Sequence, residues 1–128
     1  MSRGGDYSGL VRRLFAAPAH AGSLAPGPGP TRAAEAIALD RGAWLQITAR
    51  LQAGQVVEAR FLAWGCPHFL AACELVTAGI EGRPLARAAA VDPRALARQL
   101  EAPPEKLGRL LVIEDALREL AAAAAAPQ

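Results

Sequence analysis

One stretch restricts the fold more than any other: a strand-like run that passes through Gly65-Cys66-Pro67 directly into a helix. Val56, Val57, Ala59, Phe61 and Ala63 combine alternation with β-branched and aromatic residues, which suits a strand. Pro67 then stands where a first helical residue would, because its missing N–H is unneeded there and its fixed φ suits a helix start. Cys66 therefore falls at or next to the N-cap, where unpaired backbone N–H groups and the helix dipole favour a thiolate. The alternative is a small apolar residue buried at a strand-helix corner.

Trp44 to Leu51 alternates, Gln52-Ala53-Gly54-Gln55 reverses the chain, and Val56 to Ala63 returns, which is a hairpin with Gly54 supplying the unusual dihedral. Ala36 to Asp40 fits either a helix end or a third strand. Before it, Ala16 to Thr31 holds Pro18, Gly22, Pro26, Gly27, Pro28, Gly29 and Pro30 and is expected to be a long loop. Residues 1–5 are expected to lack fixed structure. Tyr7, Leu10, Val11, Leu14 and Phe15 then fall at helical spacing, with Asp6 placed to cap.

Downstream, Phe69, Leu70, Cys73, Val76 and Ile80 give the helix after Cys66 a wide apolar face ending near Gly79 or Gly82. A helical turn or two follows over Pro84 to Ala90. Asp92-Pro93 starts a helix over Arg94 to Leu100, and Pro104 starts a final long one marked by Leu107, Leu110, Leu111, Leu117 and Leu120. This order predicts one α+β domain over residues 1–128, with a small antiparallel sheet of two to three strands and helices packed on one face.

At 128 residues and 52% hydrophobic, the chain suits a single core. Its 14 basic and 12 acidic residues are scattered and its aromatics few, so it carries neither a nucleic-acid stripe nor a stacking platform. No apolar run is long enough to span a bilayer. Two cysteines make no disulfide framework, and nothing reads as a secretion signal, so a cytoplasmic location is expected.

Arg60-Phe61-Leu62-Ala63-Trp64-Gly65-Cys66 and the helix behind it, Gly82-Arg83-Pro84-Leu85, Ala102-Pro103-Pro104-Glu105-Lys106-Leu107 and Glu114-Asp115-Ala116-Leu117 resemble the IscU and NifU N-terminal family of iron-sulfur cluster scaffolds. Tyr7-Ser8, Phe15, Pro18 and Gly22 match that family's opening, so the resemblance covers nearly the whole chain. It implies the IscU/NifU-like fold and a non-enzymatic role as scaffold. The family holds its nascent cluster with three cysteines, an Asp and often a His. Here Leu39 stands near the first cysteine, Asp40 is one residue off the register of the Asp, Cys66 is the second cysteine, and Gly108-Arg109 replace a His-Cys pair.

By that resemblance Cys66 is the sulfur acceptor from a cysteine desulfurase, and Cys66 and Asp40 are residues for iron, a labile [2Fe-2S] cluster or zinc, with His68, two residues past Cys66, placed to turn toward the same site. The ligand set is incomplete in one chain, and a second chain or glutathione would have to complete it. An always-charged Arg at a ligand position also repels a cation. Cys73 lies seven residues along the helix, a rise of roughly 10 Å, and is expected in the core rather than on a shared metal. His68 on the first helical turn reads either as a ligand or as a solvated side chain, and His20 in the loop as a group able to swing in.

Ala102, Pro103, Pro104, Glu105 and Lys106 resemble the segment gripped by an Hsp70-type chaperone, although Ala102 and Glu105 remove two apolar anchors and the prolines equally well mark a helix start. The alternative to a cluster scaffold is an adaptor of the same fold that binds no cluster. A thiol enzyme would need a group to orient the base, and the sequence supplies none.

Overall fold

In the computed structural model, which describes residues 7–125, the chain runs through α1 (Gly9–Ala16), β1 (Thr31–Ala38), β2 (Ala43–Gln52), β3 (Gln55–Trp64), α2 (Pro67–Ile80), α3 (Pro93–Leu100) and α4 (Leu107–Ala122). The strands form one antiparallel sheet in the order β1-β2-β3. Along the central strand β2, Ala43, Leu45, Ile47, Ala49 and Leu51 are buried, while Trp44, Gln46 and Thr48 alternate with them on the outer face. Helix α2 covers the inner face over β3, and α4 covers it over β1 and β2. The predicted α+β architecture, with helices on one side, is what the chain adopts. Among the described residues no helix is long and apolar enough to cross a membrane.

The segment left open between helix and strand is a strand: β1 is eight residues long and pairs Ala38 with Ala43 through to Thr31 with Arg50. Its alanines are helix formers by propensity, but Ala34, Ala36 and Ala38 lie on the sheet face that α4 covers, and only small side chains let a helix approach so closely. At this edge strand the Glu35 N–H donates to Glu119 Oε1 of α4 at 3.1 Å.

The hairpin turn uses two left-handed residues, Ala53 at φ 54° and Gly54 at φ 79°. The strain is therefore shared with an alanine, which the sequence alone did not indicate. The register shifts at Arg50/Leu51, leaving Val57 as an extra residue in β3.

The Pro/Gly-rich segment before β1 is irregular but tied down. Phe61 N–H donates to His20 O at 2.9 Å and Gly22 N–H to Phe61 O at 2.8 Å. The buried Arg50 guanidinium donates to the carbonyls of Ala25 and Gly27, the latter at 2.8 Å. Helix α1 is capped by Ser8, whose hydroxyl accepts from Val11 N–H at 3.2 Å. Asp6, expected in that role, and residues 1–5 lie outside the described residues.

Candidate functional site

Cys66 is the N-cap of α2, with Pro67 at the first helical position, as the local signals require. It is a half-buried free thiol whose side chain makes no capping hydrogen bond. Gly65 holds the strand-to-helix corner tight, since a Cβ there would fall 2.6 Å from Phe69 Cδ2, and the Phe69 ring is fully buried. The sequence thus fixes a thiol at the end of β3 and leaves it partly open.

Sheet pairing brings the other expected positions to the same end. Trp44 pairs with Trp64, and the β1-β2 connection, Leu39 to Gly42, lies just beyond that pair. Leu39 points to solvent at 76% exposure. Asp40 is exposed, and no ion pair with Arg41 or Arg109 forms among the described residues. Arg41 crosses to the first turn of α4, so that a Cβ on Gly108 would fall 2.6 Å from the Arg41 Cζ. The guanidinium occupies the space a side chain at 108 would need. Within one chain these residues do not make a cluster cradle: Leu39 faces solvent, position 108 has no side chain and Arg41 lies over it, and among the described residues no three His, Cys, Asp or Glu side chains form a group that could hold a metal ion.

His68 is neither solvated nor turned onto Cys66. It is 2% exposed, its ring lies 4.8 Å from the Tyr7 ring, and neither ring nitrogen has a hydrogen-bond partner among the described residues. Burial holds its basicity below the ordinary histidine value, and nearby Lys106 lowers it further against a partial offset from Glu105, so the ring is neutral. Coordination by His68 would require the ring to leave this pocket.

Cys73 is fully buried, and its thiol is pushed well above the ordinary range, first by burial and then by the charge of Cys66 on the same helix. It is the core residue expected. The segment Ala102–Lys106 forms the lead-in to α4, with a 3₁₀ turn over Pro104–Lys106 and Ala102 N–H donating to Ala97 O at 2.9 Å.

His20 does not swing toward Cys66. Its ring nitrogens meet Glu74 Oε2 at 2.5 Å and Glu81 Oε1 at 2.8 Å, and its own N–H donates to Glu74 Oε1 at 2.7 Å. Burial alone would depress His20, but the two carboxylates outweigh it and raise its basicity above the ordinary value. Burial pushes Glu81 up, and the Ala59 N–H, the His20 charge and Arg60 together bring it below its ordinary value. A signal for this cluster existed: Glu74 stands beside Cys73 in a largely apolar helix, and a carboxylate there demands a partner.

The family model described as NifU-like N terminal domain matches residues 6–125. The nitrogen fixation protein NifU of Cereibacter sphaeroides is 37% identical over 92 residues, covering 69% of this chain and 35% of that protein. The iron-sulfur cluster assembly scaffold protein IscU of Escherichia coli K12 is 35% identical over 65 residues, 51% of each chain. The matches thus span about half or less of these relatives. Among solved structures, one described as a scaffold for iron-sulfur cluster assembly of the SUF system, from Fervidobacterium islandicum AW-1, superposes with a TM-score of 0.69 over 94% of this chain and 99% of that one, at 12% identity. A NifU-like N-terminal structure from Brucella abortus gives a TM-score of 0.54 over 92% and 81%, at 17% identity. These two likenesses concern the fold. With the family model spanning nearly every described residue, the chain belongs to the NifU-like N-terminal domain family.

Proposed function

We propose that this protein acts in iron-sulfur cluster assembly as a non-enzymatic scaffold-family member that takes sulfur onto Cys66 from a cysteine desulfurase. The observation that carries the reading is the contrast between its two thiols: Cys66 is partly open at a helix N-terminus, whereas Cys73 is sealed in the core. In the transfer, the Cys66 thiolate attacks the outer sulfur of the donor's persulfide. A new S–S bond forms to Cys66, the donor's S–S bond breaks, and the donor cysteine leaves as thiolate, so one sulfur atom moves and no external oxidant is needed.

Iron, zinc or a [2Fe-2S] cluster carried at Cys66 takes its remaining donors from a second chain or glutathione, because Leu39, Gly108 and Arg109 stand where the family's other ligands are expected; Asp40 and His68 are the local candidates, His68 only after leaving its pocket. An Hsp70-type chaperone would engage Ala102 to Lys106 weakly, since gripping it in an extended form unwinds the turn at Pro104–Lys106.

The test is incubation with a cysteine desulfurase and free cysteine, followed by intact-mass and peptide mass spectrometry. One added sulfur, mapped to Cys66 and absent from Cys66→Ser, is expected. The serine variant folds, because Ser is itself a preferred N-cap residue. A protein that acquires no sulfur, or acquires it equally in Cys66→Ser, overturns the reading.

A further inference from the structure

At the opposite end of α2 from Cys66 lies a pit of about 260 Å³. Its floor is apolar, made by Val76, Ile80 and Leu117, and Arg83 and Arg87 stand at its rim. Both arginines are exposed, and neither guanidinium has a hydrogen-bond or ion-pair partner among the described residues. Their mounting is fixed: Val56 N–H donates to Arg83 O at 2.8 Å, and Arg87 N–H donates to Pro84 O at 3.0 Å. Gly79 lines the same pit in the last turn of α2, and a Cβ on it would meet nothing within 4 Å. The fold therefore has no steric need for glycine there, although glycine is among the weakest helix formers. A larger residue at 79 would have open space beside the pit to extend into.

We propose that this pit is a docking site for an acidic segment of a partner protein that inserts one apolar side chain. Three features select that occupant. The volume falls below the roughly 300–1,000 Å³ of small-molecule pockets and suits a single side chain. Two unpaired guanidinium groups above an apolar floor complement carboxylates flanking an apolar anchor. A concave site with two cations offers neither the basic stripe that nucleic acid requires nor the flat amphipathic surface that a membrane does. The 14 residues of α2 put the pit roughly 20 Å from Cys66, so a partner held here leaves the thiol free for a sulfur donor.

The test is fluorescence anisotropy with the full chain and fluorescein-labelled peptides of the form Asp-Glu-Asp-X-Glu-Asp-Glu, X being Leu, Phe, Trp or Ser. The apolar members bind and the Ser member does not. Gly79→Leu fills the pit and the pair Arg83→Glu with Arg87→Glu reverses the rim, and each weakens binding by about tenfold or more while leaving the thermal midpoint near wild type. These substitutions fall on exposed or open positions, so folding is not at stake. Equal binding of the Ser peptide, unchanged binding by both variants, or no binding by any apolar member at about 1 mM overturns the proposal. Saturable binding of decanoate without peptide binding also overturns it, and assigns the pit to small amphipathic acids.

Discussion

Removing the His20 imidazole should weaken the whole fold as well as the loop that carries it. The ring joins the segment before β1 to Glu74 within α2 and to Glu81 at its C-cap, and Glu81 Oε2 also accepts from Ala59 N–H of β3 at 2.8 Å. Charge-assisted hydrogen bonds are worth about 1.5–3 kcal/mol each. The Glu81 side chain is 28% exposed, which reduces its share, but that of Glu74 is only 6% exposed and would keep only the His20 N–H. His20→Ala should therefore cost roughly 3 kcal/mol, or a fall of about 10 °C in Tm for a chain of this length. The pH dependence has a definite sign. His20 is raised above 6.5, so its contribution is complete below that value and is lost as pH rises through the higher folded value. Glu81 is depressed below 4.5, so its contribution is complete above that value and is lost as pH falls through the lower one. Arg60 at 3.4 Å from Glu81, itself paired with Glu58 at 3.2 Å, supports the charged form of Glu81. Urea melts of wild type, His20→Ala, Glu74→Ala and the double variant across pH 4 to 9 measure this. The wild-type advantage over His20→Ala should be largest between about pH 4.5 and 6.5 and shrink on the alkaline side. An advantage below about 1 kcal/mol at pH 6, or one that grows toward pH 9, would refute the assignment of a charged, doubly bonded His20.

Gly65→Ala forces a Cβ to 2.6 Å from the buried Phe69 ring and should cost about 1–3 kcal/mol in urea melts, whereas Gly42→Ala, with open space but left-handed φ, should cost less. Ala53→Asn relieves a left-handed alanine in the β2-β3 turn and should raise stability by up to about 1 kcal/mol; a loss would mean that the turn is not of the two-residue left-handed type. Maleimide should modify Cys66 alone in native protein and both thiols in urea, and native labelling of Cys73 would contradict its burial.

The parts of the fold that were legible rest on local rules. Pro67 and Pro93 fix helix starts because a missing N–H costs nothing there, Asp92 caps α3 by accepting from Arg94 N–H, and Gly54 marks the hairpin. What was not legible is decided by partners far along the chain. Residues 31–38 contain two β-branched residues, Thr31 and Ile37, in an alanine-rich run, and only β2 beside them and α4 above them make that run a strand. His20 lies 54 residues from Glu74 and 61 from Glu81, so no spacing rule joins them. His68 looked solvated at a helix start because nothing local predicts that Tyr7, from before α1, would stack on it.

At the Cys66 end the same division separates scaffold from chemistry. Gly65, Cys66 and Pro67 meet the backbone requirements of a strand-to-helix corner, so their positions follow from the fold itself. Leu39, Asp40 and Arg41 sit on an exposed connection where substitution does not disturb the core, so the architecture can persist while the side chains that would hold cargo change. The change is coupled across the site: an arginine at 41 can lie over α4 only because position 108 has no Cβ, and any larger residue there would expel the guanidinium. Arg41 and Gly108 are thus one feature seen from two segments 67 residues apart, joining the exposed β1-β2 connection to the first turn of α4.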